Sequence, residues 1–270
     1  MSRTLLSIAC HEYATAAILY LAFLVRQWRF FAVAGRILIG TGLLIHAVAL
    51  GSALAGQGGM PVGLAQGLSA VAFLLLAIFF VLDLRYRIPV MGAFIGPAAV
   101  AVLIPALLMS TSGEPMPSGF RRPLLPVHIT IALIGIAAFA VATGVALMYL
   151  LMERQMKGKH FGVLFSRLPS LTFLDQLNKQ LVLWGFVALS VTLVTGAFFS
   201  SSTDGLFWKW EPKEIATLVA WIIFAVLLNA RFFAGWQGRR VAVLTMAGFC
   251  LLLVSFLSSY DPSRHLGVFR

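Results

Sequence analysis

The densest gathering of aromatic and charged groups in the chain is the stretch GLFWKWEPKEIATLVAWII, residues 205–223. Trp208 and Trp210 are two residues apart, so an extended backbone would turn both rings to one side and Lys209 to the other. Pro212 suits the first turn of a helix, where its missing N–H costs nothing. Glu214 then falls in that first turn, where the helix dipole favours an anion, and a helix start of this kind also attracts an anionic ligand. Five histidines, His11, His46, His128, His160 and His265, supply imidazoles, which suit iron, copper and zinc alike.

What positions these groups is a membrane scaffold. Of 270 residues, 60% are hydrophobic and 11% charged, far below the quarter or so of charged residues in water-soluble domains. Apolar runs of bilayer-spanning length fall at about 5–25, 32–54, 64–82, 88–109, 124–151, 181–200, 214–234 and 240–259. They predict an all-α, polytopic bundle of eight transmembrane helices in a single membrane domain, 1–270, since no segment between spans is long enough to bury its own core. The first run carries His11 and Glu12 and lacks a convincing cleavage site, so it is expected to remain as an anchor.

The basic residues set the orientation. Loops 26–36, 83–87, 153–179 and 231–240 hold 13 of the 20 Lys and Arg, with Asp83, Glu153 and Asp175 as their only acids. The positive-inside rule places these loops in the cytoplasm and both termini on the outer, periplasmic side of the inner membrane. The net charge of +11 is therefore a topology signal, divided among short loops, and does not describe a nucleic-acid surface. The cytoplasmic loop 153–180 contains FGVLFSRLPSLTFL, which is expected to lie at the interface as a short helix. Cys10 and Cys250 both fall inside spans and belong to no CxxC or CxxCH pattern, which argues against a dithiol or covalent haem role.

With the topology set, each histidine acquires a height. His128 opens the fifth span, His265 follows the eighth, His46 and His11 lie in the outer halves of the second and first, and His160 is cytoplasmic. His46 reads either as a ligand or as a neutral imidazole bonding a neighbouring helix. His11 and Glu12 read as an interfacial pair. His128 and His265 share one height on one face, as an axial pair for haem iron or a site for a metal ion would require. Lys209, Lys213, Arg121, Arg122 and Arg264 lie at the same outer level. An aromatic shelf, cations and two imidazoles match haem b, a planar macrocycle with iron and two propionates. An ordinary aromatic belt with a Pro-started helix has the same composition.

The run WKWEPKEIATLVAWIIFAVLLNAR, residues 208–231, resembles the tryptophan-rich signature of the cytochrome c assembly family, close to WG-x-x-W-x-W-D-P-K-E. Trp208, Trp210, Pro212, Lys213 and Glu214 match it, and Trp221 fits the helix that follows. LLPVHITIALIGIAAFAVATGVALMYLLME resembles the His-led span of that family, and LLIHAVAL resembles its short HemX-like members. The resemblance implies a shallow outer haem site with His128 and His265 as axial ligands to iron and the 200–214 segment supporting the macrocycle. Trp208, Trp210, Glu211, Lys213 and His46 complete the expected cofactor-binding set. Glu211 stands where Asp is usual, the WG opening is reduced to GLFW, and Asn229 stands where synthase members often carry a histidine.

The function this implies is a haem-binding membrane protein of cytochrome c assembly, an assembly factor with no self-contained enzymatic turnover. It would hold non-covalent haem b for a partner, either apocytochrome c or a second assembly subunit. A HemX-like accessory or regulatory protein of tetrapyrrole metabolism is the alternative. A small-solute or metal transporter ranks below both, since the mid-span positions carry few buried charges.

Overall fold

A computed structural model describes residues 3–56, 63–109, 124–159 and 162–259. All the regular structure among them is helical: α1 (Arg3–Arg26), α2 (Arg29–Gly56), α3 (Leu64–Tyr86), α4 (Gly92–Leu108), α5 (Leu124–Lys157), α6 (Val163–Arg167), α7 (Leu171–Asp204), α8 (Pro212–Phe233) and α9 (Arg239–Ser258), with a 3₁₀ turn (Pro89–Met91) before α4. Among the described residues eight helices, all but α6, are long and apolar enough to cross a bilayer, which makes this a multi-pass membrane protein.

The eight long helices form two rings of four. In the first, α1 packs on α2, α2 on α3, α3 on α4 and α4 back on α1. In the second, α5 packs on α7, α7 on α8, α8 on α9 and α9 back on α5, and contact of α3 with α5 joins the rings. Alternating chain direction collects the starts of α1, α3, α5 and α8 with the ends of α2, α4, α7 and α9 at one end, referred to below as the tryptophan end. Arg3 and Met109 meet there, an Arg3 Nη2 donating to the Met109 carbonyl at 3.1 Å. The opposite, arginine end carries Arg36, Arg231 and Arg239.

The first ring is filled with large rings: Tyr13, Tyr20 and Phe79 are fully buried, and Tyr20 meets Phe79 edge-on at 5.5 Å. The second ring is crossed by a stack of Phe139 on Phe224, centroids 3.9 Å apart and planes within 17°. Close helix approach fits these rings: a Cβ on Gly185 would sit 2.9 Å from Phe139, and one on Gly248 2.7 Å from Phe224. At the arginine end each ring holds an ion pair between its second and third helices. Arg36 on α2 donates to Asp83 on α3 at 2.8 Å. In the second ring Arg231 on α8 bonds Asp175 on α7 at 2.5 Å and Asn178 at 3.2 Å. Asp175 also accepts from the Gly238 backbone N–H at 3.2 Å, which ties in the start of α9.

Helix boundaries depart from the hydropathy runs mainly at the arginine end. α5 continues to Lys157 and α7 begins at Leu171, so much of the expected loop 153–180 is helical, with α6 as a short helix between them. Charged residues extend α5 through a Lys157–Glu153 pair at 2.7 Å, and Ser170 caps α7 by accepting from the Phe173 N–H at 3.3 Å. Hydropathy is blind to both devices. His160, His265, Arg121, Arg122 and Arg264, all named from the sequence, lie outside the described residues.

Candidate functional site

A cavity of about 380 Å³ lies inside the second ring at the tryptophan end, within the size range of small-molecule sites. α5 contributes His128, Ile129 and Phe139; α7 contributes Thr192, Gly196 and Ser200; the 205–211 connection contributes Phe207, Trp208 and Lys209. Lys213, Glu214 and Thr217 from α8, Ser255 from α9 and Ser259 just past its end complete it. Phe139, backed by Phe224, forms the floor, and leucine and isoleucine side chains such as Leu133, Ile136, Leu189 and Leu252 form the walls.

His128 Nδ1 lies 2.9 Å from Thr195 Oγ1 on α7. The imidazole also rests against Gly196, where a Cβ would come within 3.1 Å of Cε1. The indole Nε1 of Trp208 and the hydroxyl of Ser200 are buried and have no hydrogen-bond partner among the described residues. Both residues line the cavity, so two buried donors border it without an acceptor.

The start of α8 is built as its sequence requires. Pro212 occupies the first helical position after Glu211, whose backbone is extended. Glu211 does not cap the helix with its side chain but pairs with Lys213 at 3.1 Å. Glu214 reaches back and accepts from the Lys209 N–H at 2.9 Å, which fixes the connection above the cavity. Ser255 on α9 donates to the Lys213 carbonyl at 2.8 Å and lies 2.5 Å from the Thr217 hydroxyl, locking α9 to this turn.

The two tryptophans do not form the single flat shelf that their spacing predicts. Trp210 has a left-handed backbone, φ 57°, which interrupts the alternation of an extended strand. Its ring meets Trp208 edge to face, with centroids 6.1 Å apart and planes at 74°, and is 70% exposed. Only Trp208 lines the cavity.

The cavity therefore brings together His128, Trp208 and Lys213 from the sequence-predicted set; Glu211 is attached through its pair with Lys213, and Trp210 through its contact with Trp208. His46 is elsewhere, fully buried in the first ring, with Nδ1 3.3 Å from the Tyr13 hydroxyl and Nε2 2.9 Å from Ser69. His11 and Glu12 do not pair with each other: His11 bonds the Ser7 carbonyl at 2.6 Å, and Glu12 accepts from Thr41 at 2.7 Å. Asn229 is exposed on α8 and donates to the Ala225 carbonyl at 2.9 Å. The sequence reading missed Thr195, Gly196 and Ser200, although SVTLVTGAFFSS, residues 190–201, advertised them as hydroxyls and glycine in one half of a span.

These residues fit a flat, largely apolar ligand with an imidazole-binding centre and anionic substituents. His128 is the candidate metal ligand, the walls suit a hydrocarbon face, and the two orphaned donors with the nearby Lys213 suit carboxylate oxygens. Among the described residues no group of three or more His, Cys, Asp or Glu side chains is placed to hold a bare metal ion.

The family model for cytochrome C assembly protein matches residues 18–261. The cytochrome c biogenesis protein CcsA of Microcystis aeruginosa is 25% identical over 264 residues, covering 79% of this chain and 80% of that protein. CcsA of a Synechococcus species is 28% identical over 167 residues, covering 54% and 55%. CcsA of Prochlorococcus marinus is 26% identical over 207 residues, covering 65% of each. In these last two alignments the chain thus spans between about half and two thirds of its relatives' length. Among solved structures, the cytochrome c heme lyase CcmF superposes with a TM-score of 0.64 at 15% identity, over 95% of this chain and 48% of that one, a likeness of fold.

Proposed function

The chain belongs to the cytochrome c assembly protein family, and on that premise we propose that it holds haem b in the cavity at the tryptophan end and presents it to a partner. The observation that carries this reading is that one cavity draws His128, Trp208 and Lys213 from three separate elements into one apolar site. Bound haem supplies an iron that takes axial imidazoles and a macrocycle bearing two carboxylates.

The chain's own residues bind and orient that group. His128, bonded to Thr195, would supply one imidazole to the iron. His265, which follows the last span and lies outside the described residues, is the proposed second. Trp208 Nε1 and Ser200 Oγ would donate to propionate oxygens, with Lys213, itself paired with Glu211, lining the same cavity. Leu133, Ile136 and Leu189 would exclude water from the macrocycle.

In this reading the tryptophan end faces outward, because the arginine-rich loops face the cytoplasm under the positive-inside rule. Thioether-forming thiols come from the partner, apocytochrome c or a second assembly subunit, since neither Cys10 nor Cys250 lines the cavity.

The test is an absorption spectrum of the purified, detergent-solubilised protein, oxidised and then reduced, with a pyridine haemochrome assay. A near-stoichiometric b-type spectrum that disappears in His128→Ala supports the proposal. A protein that neither carries haem nor takes it up on titration overturns it.

A further inference from the structure

The environment of His128 determines which of its nitrogens can act. Thr195 Oγ1 lies 2.9 Å from Nδ1, but it also lies 2.8 Å from the Val191 carbonyl and 3.2 Å from that of Thr192. A hydroxyl has one proton. Two oxygens held 2.8 Å apart need a hydrogen between them, so the Thr195 proton points back along α7 to Val191. The lone pair of Oγ1 then faces the imidazole, and Nδ1 must carry the N–H that donates to it. In a neutral ring this leaves the lone pair on Nε2. Gly196 leaves the ring the room to take this position, since a Cβ there would press to 3.1 Å from Cε1 and displace it.

We propose that Thr195 is a positioning residue: with Gly196 at its side, it locks His128 in the Nδ1–H tautomer and so presents Nε2 as the ligating atom. The consequence for ligation rests on the haem reading above; the tautomer itself does not. A supporting hydrogen bond of this kind fixes ring orientation and raises the basicity of the ligating nitrogen, and its removal typically costs about 10–100-fold in metal affinity.

The first experiment needs no haem. Protein labelled with ¹⁵N-histidine is reconstituted in lipid at a pH where imidazole is neutral, and the His128 ring signals are assigned by their loss in His128→Gln. The expected spectrum shows a protonated Nδ1 and an unprotonated Nε2. In Thr195→Val the ring should move toward the Nε2–H form, and Thr195→Ser, which restores the hydroxyl, should keep the parent pattern. An Nε2–H ring in the parent protein overturns the proposal, and this outcome decides it even if Thr195→Val does not fold. An unchanged ring in a folded Thr195→Val also overturns it.

Haem b titration into the same samples then reads the effect on ligation. Thr195→Val should bind about 10–100-fold more weakly than the parent, with Thr195→Ser close to it. If no sample, the parent included, takes up haem, the haem reading fails while the nitrogen spectra still decide the role of Thr195.

Discussion

The two four-helix rings share a plan and differ in how they treat it. Each places one histidine toward the tryptophan end, fully buried in the first ring and half-buried in the second, and one Arg–Asp pair at the arginine end, between its second and third helices. In the first ring Arg36 comes from the second helix and Asp83 from the third; in the second ring the order is reversed, Asp175 then Arg231. The histidines differ more. His46 has hydroxyls at both nitrogens, from Tyr13 and Ser69, and Phe73 closes on it edge-on at 5.4 Å. His128 bonds the Thr195 hydroxyl and the Thr192 backbone, both on α7, and faces a cavity. A buried histidine whose two nitrogens are both committed is a strut between helices, whereas one held from a single helix against open space is a candidate ligand.

The largest effect should come from the arginine end. What each substitution strands is the carboxylate: the Asp83 side chain is 0% exposed, whereas that of Asp175 is 17% exposed and keeps the Gly238 N–H. Arg36→Met should therefore destabilise the protein by about 3–5 kcal/mol by leaving Asp83 uncompensated, and Arg231→Met by less. Thermal unfolding in detergent reads both, and a larger loss in Arg231→Met would overturn this ranking of the rings. Next, His128→Ala should weaken haem retention beyond the roughly 10–100-fold typical of losing a supporting partner. His46→Leu should leave retention at the parent level while costing about 1–3 kcal/mol of stability through the orphaned hydroxyls of Tyr13 and Ser69. Haem loss in His46→Leu, with the fold intact, would make both rings ligand sites. The smallest effect separates the two tryptophans. Trp208→Phe deletes the buried Nε1 donor and should weaken haem binding by about 1 kcal/mol, whereas Trp210→Phe should leave it unchanged. The reverse order would move the site from the cavity to the exposed ring.

The spans and their order were legible because hydropathy alone carries them, and the height of His128 followed from counting spans. The Pro212 helix start was legible from local chemistry. The ring arrangement was not, since which helix packs on which depends on small residues such as Gly185 and Gly248 meeting particular rings. Nor was the disposition of the tryptophans: their spacing assumes an extended backbone, and a left-handed bulky residue at Trp210 is rare enough that no local signal announces it. His46 and His128 look alike as letters within apolar runs. They are separated by partners 23 and 67 residues away, Ser69 and Thr195, which only the folded chain brings to them.

The stacked pair Phe139–Phe224 bears on the reach of the site. Phe139 lines the cavity and Phe224 backs it from α8, so the two rings mark the depth at which open space ends inside the second ring. Replacing either with a small side chain would lengthen the cavity towards the arginine end.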